Sequence, residues 1–422
     1  MEVLQDTYKD TKIGRIPKDW QVLKINKVAD CYGGTTPSTA VEEYWNGDVL
    51  WATPSDITKN KSEFLLDTNR KITEQGRVSK NLRFVQKNGL LMTSRASIGF
   101  LNISNGDVVT NQGFINIECK ANYHYKFFYY WILDNRKKLL SLSQGSTFLE
   151  LNRKTFAKIN IPFPPLPEQQ KIAAILSTVD EQIITTDKII EKSKELKKGL
   201  MQKLFSEGIG HTEFKDTKIG RIPKDWEVVR FGELIESNCY GPRFSAKDYL
   251  DTGNVKTIRG TDINKTGDIL YTQVPVAQLP EKLVNTHKLK DGDLVMITTA
   301  DCGLTGVYFD DGFPYIPSAY AVRLTLNQKA LPLYFKYVFQ TNLSKKQVIK
   351  YIRKGTVANL PGSDILKFTF AHPPLPEQEK IADLLLEADA KIEKEQAQKA
   401  QLEQLKKGLM QQLLTGKKRV KV

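Results

Sequence analysis

Cysteine is scarce in this chain: four thiols, Cys31, Cys119, Cys239 and Cys302, stand among 422 residues and no two form a CxxC pair. That usage fits reduced thiols better than a disulfide framework or a zinc site. Long apolar runs are missing too. The longest, Phe127 to Leu133, has seven residues, against the ~20 needed to span a bilayer. The N-terminal MEVLQDTYKD has no apolar signal core. No membrane association and a cytoplasmic location are therefore expected.

Catalytic signatures are equally thin. No GxxxxGK[ST] occurs, and the nearest approach to a GxGxxG loop is GIGHTE at Gly208 to Glu213, so no cradle for nucleotide phosphates is evident. The loops HPPL at His372 to Leu375 and FPPL at Phe163 to Leu166 lack the polar first residue and aromatic last residue with which adenine methyltransferases hold a flipped base. The four histidines, His124, His211, His287 and His372, are far apart, and a carboxylate pair followed by E-x-K is absent. The chain is expected to have no catalytic residues, no metal site and no cofactor of its own.

What is present is length, positive charge and repetition. A chain of 422 residues suggests about two domains. The net charge is +14, which suits a polyanionic partner. Its distribution is informative: 23 basic against 16 acidic residues in 1–163, 7 against 8 in 164–213, 22 against 16 in 214–372, and 10 against 8 in 373–422. The excess sits in two blocks, separated by nearly neutral segments.

Those blocks belong to an internal repeat. KDTKIGRIPKDW at Lys9 to Trp20 recurs unchanged at Lys215 to Trp226, an offset of 206 residues. PPLPEQQKIAAIL at Pro164 recurs as PPLPEQEKIADLL at Pro373, and LKKGLMQKL at Leu196 as LKKGLMQQL at Leu405, both offset by 209. A near-identical frame thus encloses two divergent inserts, Gln21 to Phe163 and Glu227 to His372.

After each PPLPEQ the sequence reads as a helix of about 39 residues, roughly 58 Å long. Apolar residues recur at three- and four-residue steps: Ile172, Leu176, Val179, Ile183, Ile190, Leu200 and Leu204 in the first copy, interrupted by Thr186, Ser193 and Lys197. The second carries Ile381, Leu385, Ala388, Ile392, Leu402, Leu409 and Leu413. Two such seams are expected to pair as antiparallel, coiled-coil-like helices. The inserts read as mixed α/β (α+β). Short β-branched segments such as Val108 to Thr110 and Asp293 to Thr299 precede helical stretches at Asn122 to Ser146 and Leu331 to Thr356.

The order I-G-x-I-P-x-x-W at Ile13 to Trp20, GGTTPS at Gly33 to Ser38, TNQGF at Thr110 to Phe114 and PPLPEQ at Pro164 to Gln169, with its frame repeated once, resembles the specificity subunit of type I restriction-modification systems. The resemblance covers essentially the whole chain. It implies a first target recognition domain over 1–163, a first spacer helix and linker over 164–213, a second recognition domain over 214–372, and a second spacer helix with a basic tail over 373–422, related by a pseudo-twofold. It further implies that each domain reads one half of a split double-stranded DNA target, and that the helices dock two methyltransferase subunits. Restriction/translocase subunits would join through the complex, and S-adenosylmethionine, ATP and Mg would be held by the partner subunits.

The second insert departs from the pattern, with CYGPRFS at Cys239 to Ser245 for GGTTPS and PSAYAV at Pro317 to Val322 for TNQGF. Because base edges carry sequence information and phosphates only position the protein, unlike inserts imply unlike half-sites. Polar loop residues are the candidates for reading bases: Thr35, Thr36, Ser38, Arg95, Ser97, Asn111 and Gln112 in the first insert, and Arg243, Ser245, Arg259, Thr299 and Tyr320 in the second. The alternative reading of the glycine-containing loops is that they simply make turns. Candidate phosphate contacts are Arg136, Lys137, Lys138, Lys345, Lys346, Lys350, Arg353 and Lys354, the alternative being a solvated helix face. Two other classes stay open at this stage: a duplicated coiled-coil scaffold that binds only protein, and a stand-alone DNA methyltransferase or nuclease with an unrecognised site.

Overall fold

The computed structural model describes residues 7–95, 97–145 and 149–421. The chain divides into two compact units, residues 1–187 with 397–422, and residues 188–396. Each unit contains one insert and one stretch of both long helices, Leu166–Glu207 and Leu375–Leu413.

The first unit opens with the hairpin Tyr8–Thr11/Gly14–Pro17, whose turn falls on Lys12 and Ile13 of the repeated frame. A five-stranded sheet runs in the order Ala29–Tyr32, Phe114–Cys119, Leu90–Thr93, Leu101–Ser104, Phe64–Leu65. A three-stranded sheet places Trp45–Ala52 between Val108–Thr110 and Lys71–Ile72, and Gln21–Lys24 pairs with Asn160–Phe163. In the second unit the same plan recurs: the hairpin Phe214–Thr217/Gly220–Pro223, a four-stranded sheet in the order Ile235–Tyr240, Ala321–Leu326, Leu294–Ile297, Thr305–Val307, a three-stranded sheet around Val255–Ile258, and the pair Glu227–Arg230/Thr369–His372.

The apolar run that was too short for a membrane is the core helix Tyr125–Asp134, with Phe127 to Ile132 all buried. Each predicted helical stretch is in fact two helices. The first breaks at Asn135 before Arg136–Ser141, and the second breaks after Val338 and resumes at Asn342–Tyr351. Thr341 ends the gap by accepting the Ser344 N–H on its hydroxyl, the arrangement expected of an N-cap.

The repeated frame is explained by side-chain bonds. Trp20 and Trp226 are fully buried. Their indole N–H groups donate to Glu168 and Glu377 of the PPLPEQ motifs, at 3.0 and 2.9 Å. The next residue of the motif also turns inward: Gln169 donates to the Pro164 carbonyl and accepts the His124 N–H, while Gln378 donates to the Pro373 carbonyl and accepts the Leu331 N–H. A buried polar group needs such partners, so tryptophan, glutamate and glutamine recur as a set.

Within the first unit Asp180 pairs with Lys406 and Asp187 with Lys399. Seven residues forward on one helix correspond to seven back on the other, so the two run antiparallel. The second unit has the matching pair Lys197–Asp389. Of the seam residues, Ile172, Leu176, Val179, Ile190, Leu204, Ile381, Leu385, Ile392 and Leu413 are buried, and Ile183, Leu200, Ala388, Leu402 and Leu409 are half-buried. Thr186 and Lys197, which read as interruptions, are themselves buried.

Candidate nucleic-acid interface

Three loops meet in the first unit. The Thr35 N–H donates to the Thr110 carbonyl, the Asn111 N–H to Ala52, and the Ser94 N–H to Gly113. Gly34 approaches so closely that a Cβ there would lie 1.9 Å from the Thr110 carbonyl oxygen, so only glycine fits. The Thr36 hydroxyl donates to Gln112 Oε1 at 2.7 Å, fixing an exposed amide whose NH2 remains available. Asn111 is half-buried, and its Oδ1 accepts the Gly113 N–H, which orients the other end of its amide outward. Thr35 and Ser97 are half-buried and Ser38 exposed.

Although the sequences differ, the second unit builds the same cluster. The Ser318 N–H donates to Ile258 and the Thr298 N–H to Tyr320, as those of Asn111 and Ser94 do to Ala52 and Gly113, whereas Pro242, in the place of Thr35, has no N–H and the Gly241 N–H donates to Ala321. A Cβ on Gly241 would lie 2.0 Å from the Pro317 carbonyl oxygen. The correspondence continues: the Leu151 N–H donates to Ser94 as the Leu360 N–H does to Thr298, Arg95 bridges Glu150 as Thr299 bridges Asn359, and Gln144 bridges Glu150 as Arg353 bridges Asn359.

At these equivalent places the side chains differ in charge and reach. Arg95 meets Glu150 at 3.1 Å, with both side chains 46% exposed. Thr299 and Asn359 bring no charge to that place. Arg259 is held by Asp262 through two bonds of 3.0 Å. Its guanidinium would have to leave a fully buried carboxylate to read a base. Arg243 is exposed and forms no ion pair among the described residues. Ser245 spends its hydroxyl on the Lys247 N–H as a helix cap. Tyr320 is 61% exposed, with its backbone carbonyl anchored by Thr298.

The phosphate candidates divide similarly. Lys137 and Lys138 are exposed, whereas Arg136 donates to the Ile98 carbonyl and lies 3.7 Å above the Phe100 ring, bracing the loop that carries Arg95. Lys345, Lys346 and Lys350 are exposed along Asn342–Tyr351, as is Lys354. Arg353 reaches Asp364 only at 3.7 Å and is 72% exposed. Sequence reasoning passed over Glu150, Asn359 and Gln144. Their signal is the 209-residue offset that already relates the PPLPEQ motifs, which pairs Gln144 with Arg353 and Glu150 with Asn359.

Two domains built on one scaffold, with equivalently bonded loops bearing unlike side chains, define the class of a duplicated, two-domain recognition protein. Comparison with known proteins is consistent with that class. The profile described as type I restriction modification DNA specificity domain matches twice, over residues 17–195 and 223–404, and the chain belongs to that family. The type I restriction enzyme MjaIX specificity subunit of Methanocaldococcus jannaschii is 31% identical, over 98% of this chain and 96% of the relative. The MjaVIII specificity subunit of the same organism is 28% identical over 99% and 97%. In fold, the chain resembles the type I restriction-modification S subunit from M. genitalium, with a TM-score of 0.57 at 14% identity over 93% of this chain and 96% of that one. No helix among the described residues is long and apolar enough to cross a membrane.

Proposed function

We propose that this specificity subunit reads an asymmetric, bipartite double-stranded DNA target, one half-site per domain, and contributes no catalytic group. The observation that carries this reading is the pair of equivalent loop clusters with unlike side chains. In the first, Gln112, Asn111 and Arg95 supply amide and guanidinium groups suited to bidentate contacts with adenine and guanine. In the second, Ser318, Ala319 and Thr299 stand in their place, and Arg243 and Tyr320 are exposed on its loops. The exposed lysines of Arg136–Ser141 and Asn342–Tyr351 lie near the clusters in sequence and supply the positive charge that holds a phosphate backbone.

On the same reading, the long helices dock two methyltransferase subunits, and restriction/translocase subunits join through them. S-adenosylmethionine, ATP and Mg belong to those partners. The complex works in the cytoplasm, where its DNA is.

Binding of the chain, assembled with its methyltransferase subunits, to duplexes carrying and lacking the target tests this. Gln112→Ala and Arg243→Ala should each weaken the specific duplex by about tenfold to a hundredfold, and leave the non-specific duplex unchanged. Lys345→Glu with Lys346→Glu should weaken both duplexes and flatten the salt dependence. Lysine and loop substitutions that leave DNA affinity untouched in an intact complex would refute the proposal and favour a scaffold that binds only protein.

A further inference from the structure

The first insert holds a cation over a pair of indole rings. In a regular strand Trp45 and Trp51 would lie about 20 Å apart. The strand Trp45–Ala52 is instead interrupted: Asn46 takes the left-handed conformation, with φ +61°, and Trp45 and Val49 both oppose Ile72. The two rings therefore meet edge to face, with centroids 5.1 Å apart.

Both indoles are buried, and a buried indole N–H needs an acceptor. Each finds one in the loop Gly33 to Ser38: Trp45 donates to the Ser38 carbonyl at 3.0 Å and Trp51 to the Thr35 carbonyl at 3.2 Å. Between those anchors stands Thr36, whose hydroxyl holds the Gln112 amide. Two tryptophans thus fasten the loop that positions Gln112.

Arg70 lies over these rings, its guanidinium carbon 3.8 Å from the Trp45 centroid and 5.3 Å from the Trp51 centroid. Other arginines of this insert that lie over rings are engaged elsewhere as well: Arg77 with Glu74, Arg83 with Glu118, and Arg136 with the Ile98 carbonyl. Arg70 is exposed, and its side chain has neither an ion pair nor a hydrogen bond among the described residues. A guanidinium resting on an aromatic face is already ordered, keeps its charge, and offers N–H donors in the fork that suits phosphate. Held on the ring, it is not extended toward a groove floor, whereas phosphate oxygens lie on the outer surface of a duplex.

The second unit repeats the backbone of this place without its side chains. The Trp51 N–H donates to the Arg70 carbonyl as the Thr257 N–H does to Pro275. Thr257 brings no indole, Pro275 brings no charge, and Pro242 stands where Thr35 does. We propose that Arg70 is a phosphate contact of the first domain, and that Trp45 and Trp51 are positioning residues that tie this contact to the base-reading loop. The inference rests on the reading of the chain as a DNA-binding subunit, and adds a backbone anchor that sets register at one half-site only.

The test uses the chain assembled with its methyltransferase subunits, a duplex carrying the motif that the complex methylates, and a non-specific duplex. Arg70→Gln should weaken both duplexes and lower the slope of log affinity against log salt by about 0.9, one phosphate's share. Arg70→Lys retains the charge and should retain the slope. Uncharged methylphosphonates, placed one at a time through the first half-site, should include one that weakens the wild type by about tenfold and leaves Arg70→Gln unaffected. Trp51→Phe keeps a ring and deletes the N–H. It should lower specific affinity by about tenfold, leave the salt slope unchanged, and relax base discrimination in the first half-site alone. An unchanged slope in Arg70→Gln, a slope in Arg70→Lys no steeper than in Arg70→Gln, methylphosphonate costs that all persist in Arg70→Gln, or relaxed discrimination at both half-sites in Trp51→Phe would each overturn the proposal. Lys345→Glu with Lys346→Glu separates the two claims. If that variant flattens the slope and Arg70→Gln does not, the anchor is refuted and the DNA reading stands; if neither variant changes DNA binding, both are refuted.

Discussion

Lys197 is a lysine in an apolar seam, and its replacement probes the helix pairing directly. Its Nζ lies 2.5 Å from Asp389 Oδ1, the two side chains being 9% and 17% exposed. The other carboxylate oxygen accepts the Tyr337 hydroxyl at 2.8 Å. Lys197→Met strands the aspartate among apolar neighbours, and removing one partner of a buried pair costs about 3–5 kcal/mol. The Tyr337 bond remains, so the expected loss is at the low end, about 3 kcal/mol. The corresponding pair in the first unit, Lys406–Asp180, is 22% and 21% exposed at 2.6 Å, and Tyr130 plays the part of Tyr337. Solvent screens it more, so Lys406→Met should cost about 1–2 kcal/mol. Urea denaturation of the wild type, both singles and the doubly substituted Lys197→Met, Asp389→Leu chain measures these costs. The double variant should recover most of the single's loss, because no charge is left unpaired. A Lys197→Met cost below about 0.5 kcal/mol, or additive costs in the double variant, would refute the reasoning.

Other expectations concern acid stability, thiols and the loop glycines. Burial holds His124 and His372 below the ordinary histidine value of 6.5, with Lys126 adding to the shift at His124 and Glu227 opposing it at His372. Their folded-state pKa is depressed, so the stability they contribute is present above pH ~6.5 and lost as pH falls through the folded value. His372→Phe, which installs the residue found at Phe163, should shrink the fall in melting temperature between pH 7.5 and 5; an unchanged fall would count against it. Burial, aided by Asp30, pushes the Cys31 thiol up to about 12, and burial with Cys31 nearby does the same for Cys119. In the folded chain at pH 8 both should resist a disulfide reagent until denaturant is added, and prompt reaction of all four thiols would contradict this. Gly34→Ala and Gly241→Ala must each move a loop backbone off a carbonyl, so each should lower specific DNA affinity by about tenfold or more while leaving the long helices paired. Wild-type affinity in either variant would show that the cluster does not bear on recognition.

The frame was legible in the sequence because its residues do one structural job twice. Trp20 with Glu168, and Trp226 with Glu377, must be kept together or the buried indole and carboxylate lose their partners. The helix seams were legible for a similar reason, since burial on one face imposes a periodicity. Lys197 escaped that logic: its partner Asp389 is 192 residues away, and a pattern of apolar spacings registers a lysine only as a gap. The equivalence of the two loop clusters was hidden because backbone bonds define it, and these leave the side chains free to differ. The offset between matching residues moves from 206 at Ala52 and Ile258 to 204 at Ser94 and Thr298, 207 at Gly113 and Tyr320, and 209 at Leu151 and Leu360. Small insertions and deletions of that kind erase letter-by-letter alignment and preserve the ladder. Arg95 and Arg259 illustrate a further limit. Each reads as a free cation until Glu150 and Asp262 are seen beside it.

The most direct test of two equivalent clusters reading two half-sites is an exchange of one insert. The chain is expressed with its methyltransferase subunit, once intact and once with Glu227 to His372 replaced by the corresponding insert of a relative, and adenine methylation is mapped across the host genome. The intact chain should yield an asymmetric split motif that disappears when the chain is omitted, and the exchange should change one half of that motif and preserve the other. An exchanged complex that assembles and methylates the original motif, or one that alters both halves at once, would contradict the account.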